Sequence, residues 1–164
     1  MIETIPATLI LFRDRPGQAP ELLLTERASG LAFAGGALVF PGGRIDPADH
    51  AEAARRPDLP AADAAARIAA LRETIEEVGS DFGLAAEALT PFARWLPKHR
   101  QARNFDTLFF LGRAAADAPA PRVDGRETVR AFWATAADVL AQCDRGDAHV
   151  IFPTRRNLER LALF

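Results

Sequence analysis

The stretch DAAARIAALRETIEEVG, from Asp63 to Gly79, constrains this chain more than any other. Asp63 is of the type that caps a helix N-terminus, and Gly79 of the type that ends a helix in a left-handed conformation. A helix is therefore predicted from about 63 to 78. Ala64, Ile68, Leu71, Ile75 and Val78 recur at spacings of four, three, four and three, one apolar stripe expected to face the core. Arg72, Glu73, Glu76 and Glu77 fall on the other side. Glu73 lies three and four residues before Glu76 and Glu77. Like charges at those spacings cost a few tenths of a kcal/mol per pair. On an ordinary surface helix this is a solvated acidic face, eased by Arg72.

The flanking segments set the fold class. ATLILF (Ala7–Phe12) and LLLTER (Leu22–Arg27) read as strands joined by a long loop that contains Pro16, Gly17 and Pro20. GGALVFPGG holds a third short strand ending in a glycine turn. Residues 44–62, with Pro47, Pro57 and Pro60, read as a loop with room for one helical turn at HAEAARR. After the central helix, LTPFARWLP, FDTLFFLGRA and ETVRAFWAT are strand-like, AADVLAQC is helical, and FPTRRNLERLALF opens a last helix with proline near its start. Strands, helix, strands, helix imply α+β with a mixed sheet. A length of 164 residues suits one domain.

A net charge of −2, from 20 basic and 22 acidic residues, provides no field for nucleic acid or anionic lipid. Cys143 is the single cysteine, which excludes a disulfide framework and fits a reducing, cytoplasmic setting. MIETIPATLILF lacks the pattern of a signal peptide, and no apolar run reaches the ~20 residues of a membrane span.

The glutamates have a second reading. Hard divalent cations take several oxygen ligands, and carboxylates on a rigid helix supply them. Glycines upstream let backbone approach the same ion. A metal so held clamps phosphate and acidifies water.

Gly43 followed by RETIEEVG at Arg72–Gly79, with FPGG at Phe40–Gly43, resembles the box of the Nudix hydrolases. That box reads glycine, five residues, glutamate, seven residues, then Arg-Glu-aliphatic-x-Glu-Glu-x-Gly-aliphatic. The resemblance implies the Nudix fold, an α/β/α sandwich around a mixed sheet, and metal-dependent hydrolysis of a diphosphate in a nucleoside diphosphate derivative, with Mg²⁺ or Mn²⁺. It lends catalytic roles to Arg72, Glu73, Glu76 and Glu77. Glu73, Glu76 and Glu77 hold metal, Arg72 orients them, and Gly42 or Gly43 lends a carbonyl. Gly43 to Arg72 spans 29 positions against 14 in the pattern, an insertion of 15, assigned to a loop at about 46–62. Counting back eight from Arg72 puts Ala64 where the first box glutamate is due, with Glu52 and Asp63 as stand-ins. Thr74 and Ser80 replace aliphatics.

Within the family, LLTERASGLAFAGGALVFPGGRID is similar to the coenzyme A and acyl-CoA diphosphatases. The match rests on Leu23, Leu24, Thr25, Arg27, Leu31, Gly36, Phe40 to Gly43 and Asp46, with departures at Ala28 and Ala32. That resemblance implies release of 3′,5′-ADP and an (acyl)phosphopantetheine. It also nominates Arg27, Gly43, Arg44, Lys98 and Arg103 as substrate-binding residues; Lys98 and Arg103 equally suit a solvated basic loop. Glu127 is either a further metal or base glutamate or an exposed loop residue. Two alternatives stand. One is the same chemistry on ADP-ribose, a nucleotide sugar or a nucleoside triphosphate. The other is a nucleotide-binding domain that does not cleave, which retention of the glutamates disfavours. The implied partners are a small nucleotide or CoA-type substrate and a second copy of the chain, since many Nudix hydrolases dimerise.

Overall fold

The computed structural model describes residues 6–96 and 106–164. Its centre is a mixed sheet of seven strands: β1 (Pro6–Arg15), β2 (Gln18–Arg27), β3 (Leu38–Val39), β4 (Gly42–Arg44), β5 (Thr90–Trp95), β6 (Thr107–Arg113) and β7 (Thr128–Thr135). The order β3-β2-β1-β6-β5 forms one path, with β4 on β1 and β7 on β2. β1 and β6 run parallel, and the other pairs are antiparallel. The helices are α1 (Pro47–Ala53), α2 (Ala64–Val78), α3 (Ala136–Asp144) and α4 (Phe152–Leu161), with a single 3₁₀ turn at Ala86–Ala88.

Helices cover both sheet faces, which explains why LILF, LLL and LFFL are continuous apolar runs rather than alternating ones. Ala7, Leu9, Leu11, Leu23 and Phe110 point toward α2 and its alanines. Ile10, Leu22, Leu24 and Phe109 point the other way, onto Val139 of α3 and Leu158 of α4. This is the expected α+β sandwich.

Three local expectations are corrected. The first two strands form a tight hairpin, in which Arg15 pairs with Gln18 across Pro16–Gly17. Gly17, at φ 69°, takes the left-handed corner. The polar tip of this hairpin carries the Arg13–Glu21 ion pair, so composition alone disguised it as a loop. The 46–62 segment contains α1, which starts with Pro47 after Asp46, whose N–H donates to Asp49 Oδ2 at 2.7 Å. The third concerns α2. Its buried positions are Ala64, Ala66, Arg67, Ala69, Ala70, Thr74 and Val78. Ile68 and Leu71 are half-buried, and Ile75 is 46% exposed. Small residues let the helix lie close to the sheet; of the predicted stripe, Ala64 and Val78 are buried, Leu71 packs at the edge of the core, and Ile75 turns to solvent.

Gly42 and Gly43 sit in β4, opposite Thr8 and Ala7 of β1. A Cβ on Gly42 would lie 2.5 Å from the Ala7 carbonyl oxygen and 2.7 Å from Thr8 Cα, both main-chain atoms. A Cβ on Gly43 would instead meet the Glu73 carboxyl carbon at 2.3 Å, the mobile end of a side chain. Gly42→Ala is therefore expected to destabilise the fold by about 1–3 kcal/mol, read as a lowered urea midpoint. Gly43→Ala should unfold near the wild-type midpoint yet lose turnover, because Glu73 is displaced; equal midpoints for both variants would contradict this.

Candidate active site

The site is built on α2, which is fastened at both ends. Gly79, at φ 80°, closes the C-terminus and donates its N–H to Ile75 at 2.9 Å. Near the N-terminus, buried Arg67 bonds Asp63 at 2.7 Å and donates to the Ala86 carbonyl at 3.2 Å, tying the helix to the 3₁₀ turn. Midway, Thr74 is fully buried and returns its hydroxyl to the Ala70 carbonyl at 2.7 Å. A threonine at an aliphatic position of the box is thus satisfied within the helix.

Arg72 is the hub. Its Nε and Nη2 donate to the two carboxylate oxygens of Asp49 at 3.0 and 2.9 Å, a bidentate pair. Nη2 also donates to the Arg44 carbonyl at 2.9 Å, and Nη1 reaches Glu73 at 3.0 Å and Glu76 at 3.2 Å. Asp46 lies 3.4 Å away. One guanidinium therefore joins α1, β4 and the glutamate face of α2, and these carboxylates, Asp49 foremost, hold its pKa above the usual arginine value. Asp49, only 2% exposed, is the functional residue that counting back from Arg72 missed. The signal was in the sequence: five residues separate Gly43 from Asp49, the spacing of glycine and first glutamate in the box. The additional residues therefore follow Asp49. The stand-ins are otherwise engaged, Glu52 with Arg55 and Asp63 with Arg67.

Glu77 lies on the inner edge of the glutamate face. Burial, then repulsion from Glu73, push its carboxyl up to about 8, against the Gly42 N–H and Arg27, which favour the charged form; Glu127 adds repulsion. Burial likewise raises Glu73, opposed by Arg72. The structure thus brings Glu77 together with Gly42, Arg27, Glu73 and Glu127, residues scattered over a hundred positions. Arg27 is steadied by donating Nε to the Phe33 carbonyl at 3.1 Å, and the Ala28 N–H bonds the Glu127 carbonyl at 2.8 Å. The Gly42 contact is an amide donated to Glu77, where the sequence suggested a carbonyl offered to metal.

Among the described residues no three His, Cys, Asp or Glu side chains converge at metal-binding distance. Glu73 and Glu76 are turned onto Arg72 instead, Glu76 from an exposed position. The donor set nonetheless fits a divalent cation. Carboxylates outnumber the nearby cations, and Glu77 carries the electrostatic cost. Arg44 is exposed and contributes its carbonyl to Arg72. Lys98 and Arg103 lie outside the described residues. Of the segment similar to CoA diphosphatases, Leu23, Leu24 and Thr25 are buried in the sheet, with Thr25 bonded to the Val39 carbonyl at 3.2 Å, so their presence serves folding.

A cleft of about 540 Å³ opens beside the glutamates, not over Glu77. It shares Arg72 and Glu76 with the site and is otherwise lined by the outward stripe of α2 and by residues 52, 56 and 85–87. No described helix is long and apolar enough to cross a membrane.

Neither a protein-family model nor a curated protein matches the chain. Solved structures do. A Nudix hydrolase from Alicyclobacillus acidocaldarius is 28% identical, with a TM-score of 0.84 over 98% of this chain and 91% of that one. The Nudix domain of Shewanella oneidensis NrtR, complexed with ADP ribose, is 18% identical with a TM-score of 0.63, covering 100% and 90%. A C. elegans Ap4A hydrolase is 17% identical at 0.58, covering 98% and 96%. The chain has the architecture of a Nudix hydrolase.

The raised Glu77 makes a stability prediction. Its folded-state pKa exceeds the ordinary glutamate value of 4.5. The protonated form therefore favours folding, and that contribution is lost as pH rises from about 4.5 to about 8. In metal-free protein, Glu77→Gln keeps a neutral side chain. Its Tm should draw ahead of wild type by several degrees between pH 5 and pH 8. Parallel Tm curves would contradict the assignment.

Proposed function

We propose that the chain hydrolyses a diphosphate linkage in a nucleoside diphosphate derivative, with Mg²⁺ or Mn²⁺ held by Glu73, Glu76 and Glu77. The observation that carries this reading is the half-buried Glu77, surrounded by Glu73 and Glu127 with Arg27 as its counter-charge, in a Nudix architecture. A divalent cation bound there supplies charge neutralisation at the phosphate oxygens and lowers the pKa of a water.

The chain's own residues do the rest. Arg72, itself held by Asp49, keeps Glu73 and Glu76 on one face of α2, from which their carboxylates turn toward Glu77 when the site is occupied. Arg27 is the cation beside Glu77 and is suited to an anionic phosphate oxygen. Glu127, exposed and close enough to Glu77 to repel it, accepts a proton from the attacking water in this reading. Attack at phosphorus breaks one P–O bond of the anhydride, and positioning and electrostatics provide most of the acceleration. CoA or an acyl-CoA is the substrate favoured by the resemblance of residues 23–46, giving 3′,5′-ADP and an (acyl)phosphopantetheine.

Product analysis tests both levels. With Mg²⁺ or Mn²⁺, wild type should release 3′,5′-ADP from CoA, and chelator should abolish it. AMP from ADP-ribose in its place would discard CoA and keep the chemistry. Glu76→Gln and Glu77→Gln should each lower turnover by about 10²-fold or more with an intact fold; near-normal turnover in both would refute the metal assignment.

A further inference from the structure

Glu127 is exposed and lies one residue ahead of β7, outside regular structure. A group that takes a proton in the reaction is effective only when it is held near its partner. The backbone around Glu127 meets that need. Asp124 Oδ1 accepts the Arg126 N–H at 2.9 Å and the Thr128 N–H at 3.4 Å. The Glu127 N–H adds to these, and the amides, Arg126 first, hold the Asp124 carboxyl below its ordinary value. Asp124 is therefore an anionic acceptor at neutral pH, and bonds to charged acceptors are the stronger kind. Gly125, at φ 75°, makes the turn and returns its N–H to the Thr128 carbonyl at 3.0 Å. We propose that Asp124 is a positioning residue for the reaction: with Gly125 it forms a bracket that holds Glu127 at its place beside Glu77. The inference rests on the hydrolase reading above and on the role of Glu127 within it.

The bracket grips both peptide groups of Glu127. Its N–H faces the Asp124 carboxylate, and its carbonyl accepts the Ala28 N–H at 2.8 Å. Ala28 follows Arg27, the counter-charge of Glu77, so the turn and that cation belong to one bonded unit. The strand beyond is adjusted to the turn. Arg27 pairs with Thr128 and Glu26 with Arg130, which leaves Val129 as an extra residue in β7. Such bulges re-aim neighbouring side chains. Gly125 is required by conformation alone, because a Cβ there meets nothing within 4 Å. Alanine at 125 therefore strains the turn without a clash. Asp124 is exposed and spends its carboxylate on main-chain amides, so it acts through Glu127 and not on the substrate.

A double-variant cycle tests this, using full-length protein, Mg²⁺ and whichever of CoA and ADP-ribose the wild type hydrolyses. Asp124→Ala should lower kcat by about tenfold with KM within about twofold, and Asp124→Asn, which keeps the Oδ1 acceptor, should stay within about threefold of wild type. Gly125→Ala should reproduce the Asp124→Ala defect. Glu127→Gln alone should lower kcat by about 10²-fold. In that background Asp124→Ala should change kcat by less than about twofold, because the group it positions is already disabled. A full additional loss there, a defect in KM alone, or wild-type kcat in Asp124→Ala would overturn the proposal. Wild-type kcat in Glu127→Gln would overturn it as well, while leaving the glutamates of α2 to their own variants. If neither compound is hydrolysed, the hydrolase reading fails separately, and amide hydrogen exchange decides the bracket. Asp124→Ala should then speed exchange at Arg126, Glu127 and Thr128 by about tenfold with the sheet amides unchanged. Unaltered exchange at those three amides overturns it.

Discussion

The bidentate pair between Arg72 and buried Asp49 sets the relation among α1, the glycine strand β4 and the glutamate face of α2. Asp49 has given up almost all contact with water, so it depends on that guanidinium and on the Asp46 N–H. Breaking a buried pair by removing one partner costs several kcal/mol, because the survivor is left uncompensated. Arg72 holds the Arg44 carbonyl with the same group, which keeps β4 and its glycines against the helix. Glycine is required there for two separate reasons: Gly42 lies against the main chain of β1, and Gly43 leaves room for the Glu73 carboxylate.

The structure spends its positive charge on one side of α2. Arg72 serves Asp49, Glu73 and Glu76, while Glu77 is left with burial and repulsion against the Gly42 N–H and Arg27. A carboxylate raised to about 8 is an unstable anion at neutral pH. Such local imbalance characterises sites that bind cations or move protons.

Much of this was legible in the sequence, and the omissions have physical causes. The span of α2 followed from Asp63 and Gly79, since helix ends are governed by local chemistry. Which face it buries followed only in part, at Ala64, Leu71 and Val78. The stripe rule assumes that bulky residues mark the core, but here Ala66, Ala69 and Ala70 make the sheet contact because close approach excludes larger side chains. Asp49 was hidden because the additional residues fall between it and Arg72, so only the register counted forward from Gly43 survives. The meeting of Arg27, Glu77 and Glu127 depends on β2 pairing with both β3 and β7, a tertiary fact that no local pattern encodes.

Mn²⁺ binding followed by electron paramagnetic resonance as a function of pH tests the account most directly. The account holds that a divalent ion binds by displacing the proton from Glu77. Between pH 6 and pH 8 the apparent affinity of wild type should rise by roughly tenfold per unit, and Glu77→Gln should bind weakly with no such slope. A wild-type affinity that is flat across this range, or undiminished in Glu77→Gln, would contradict it.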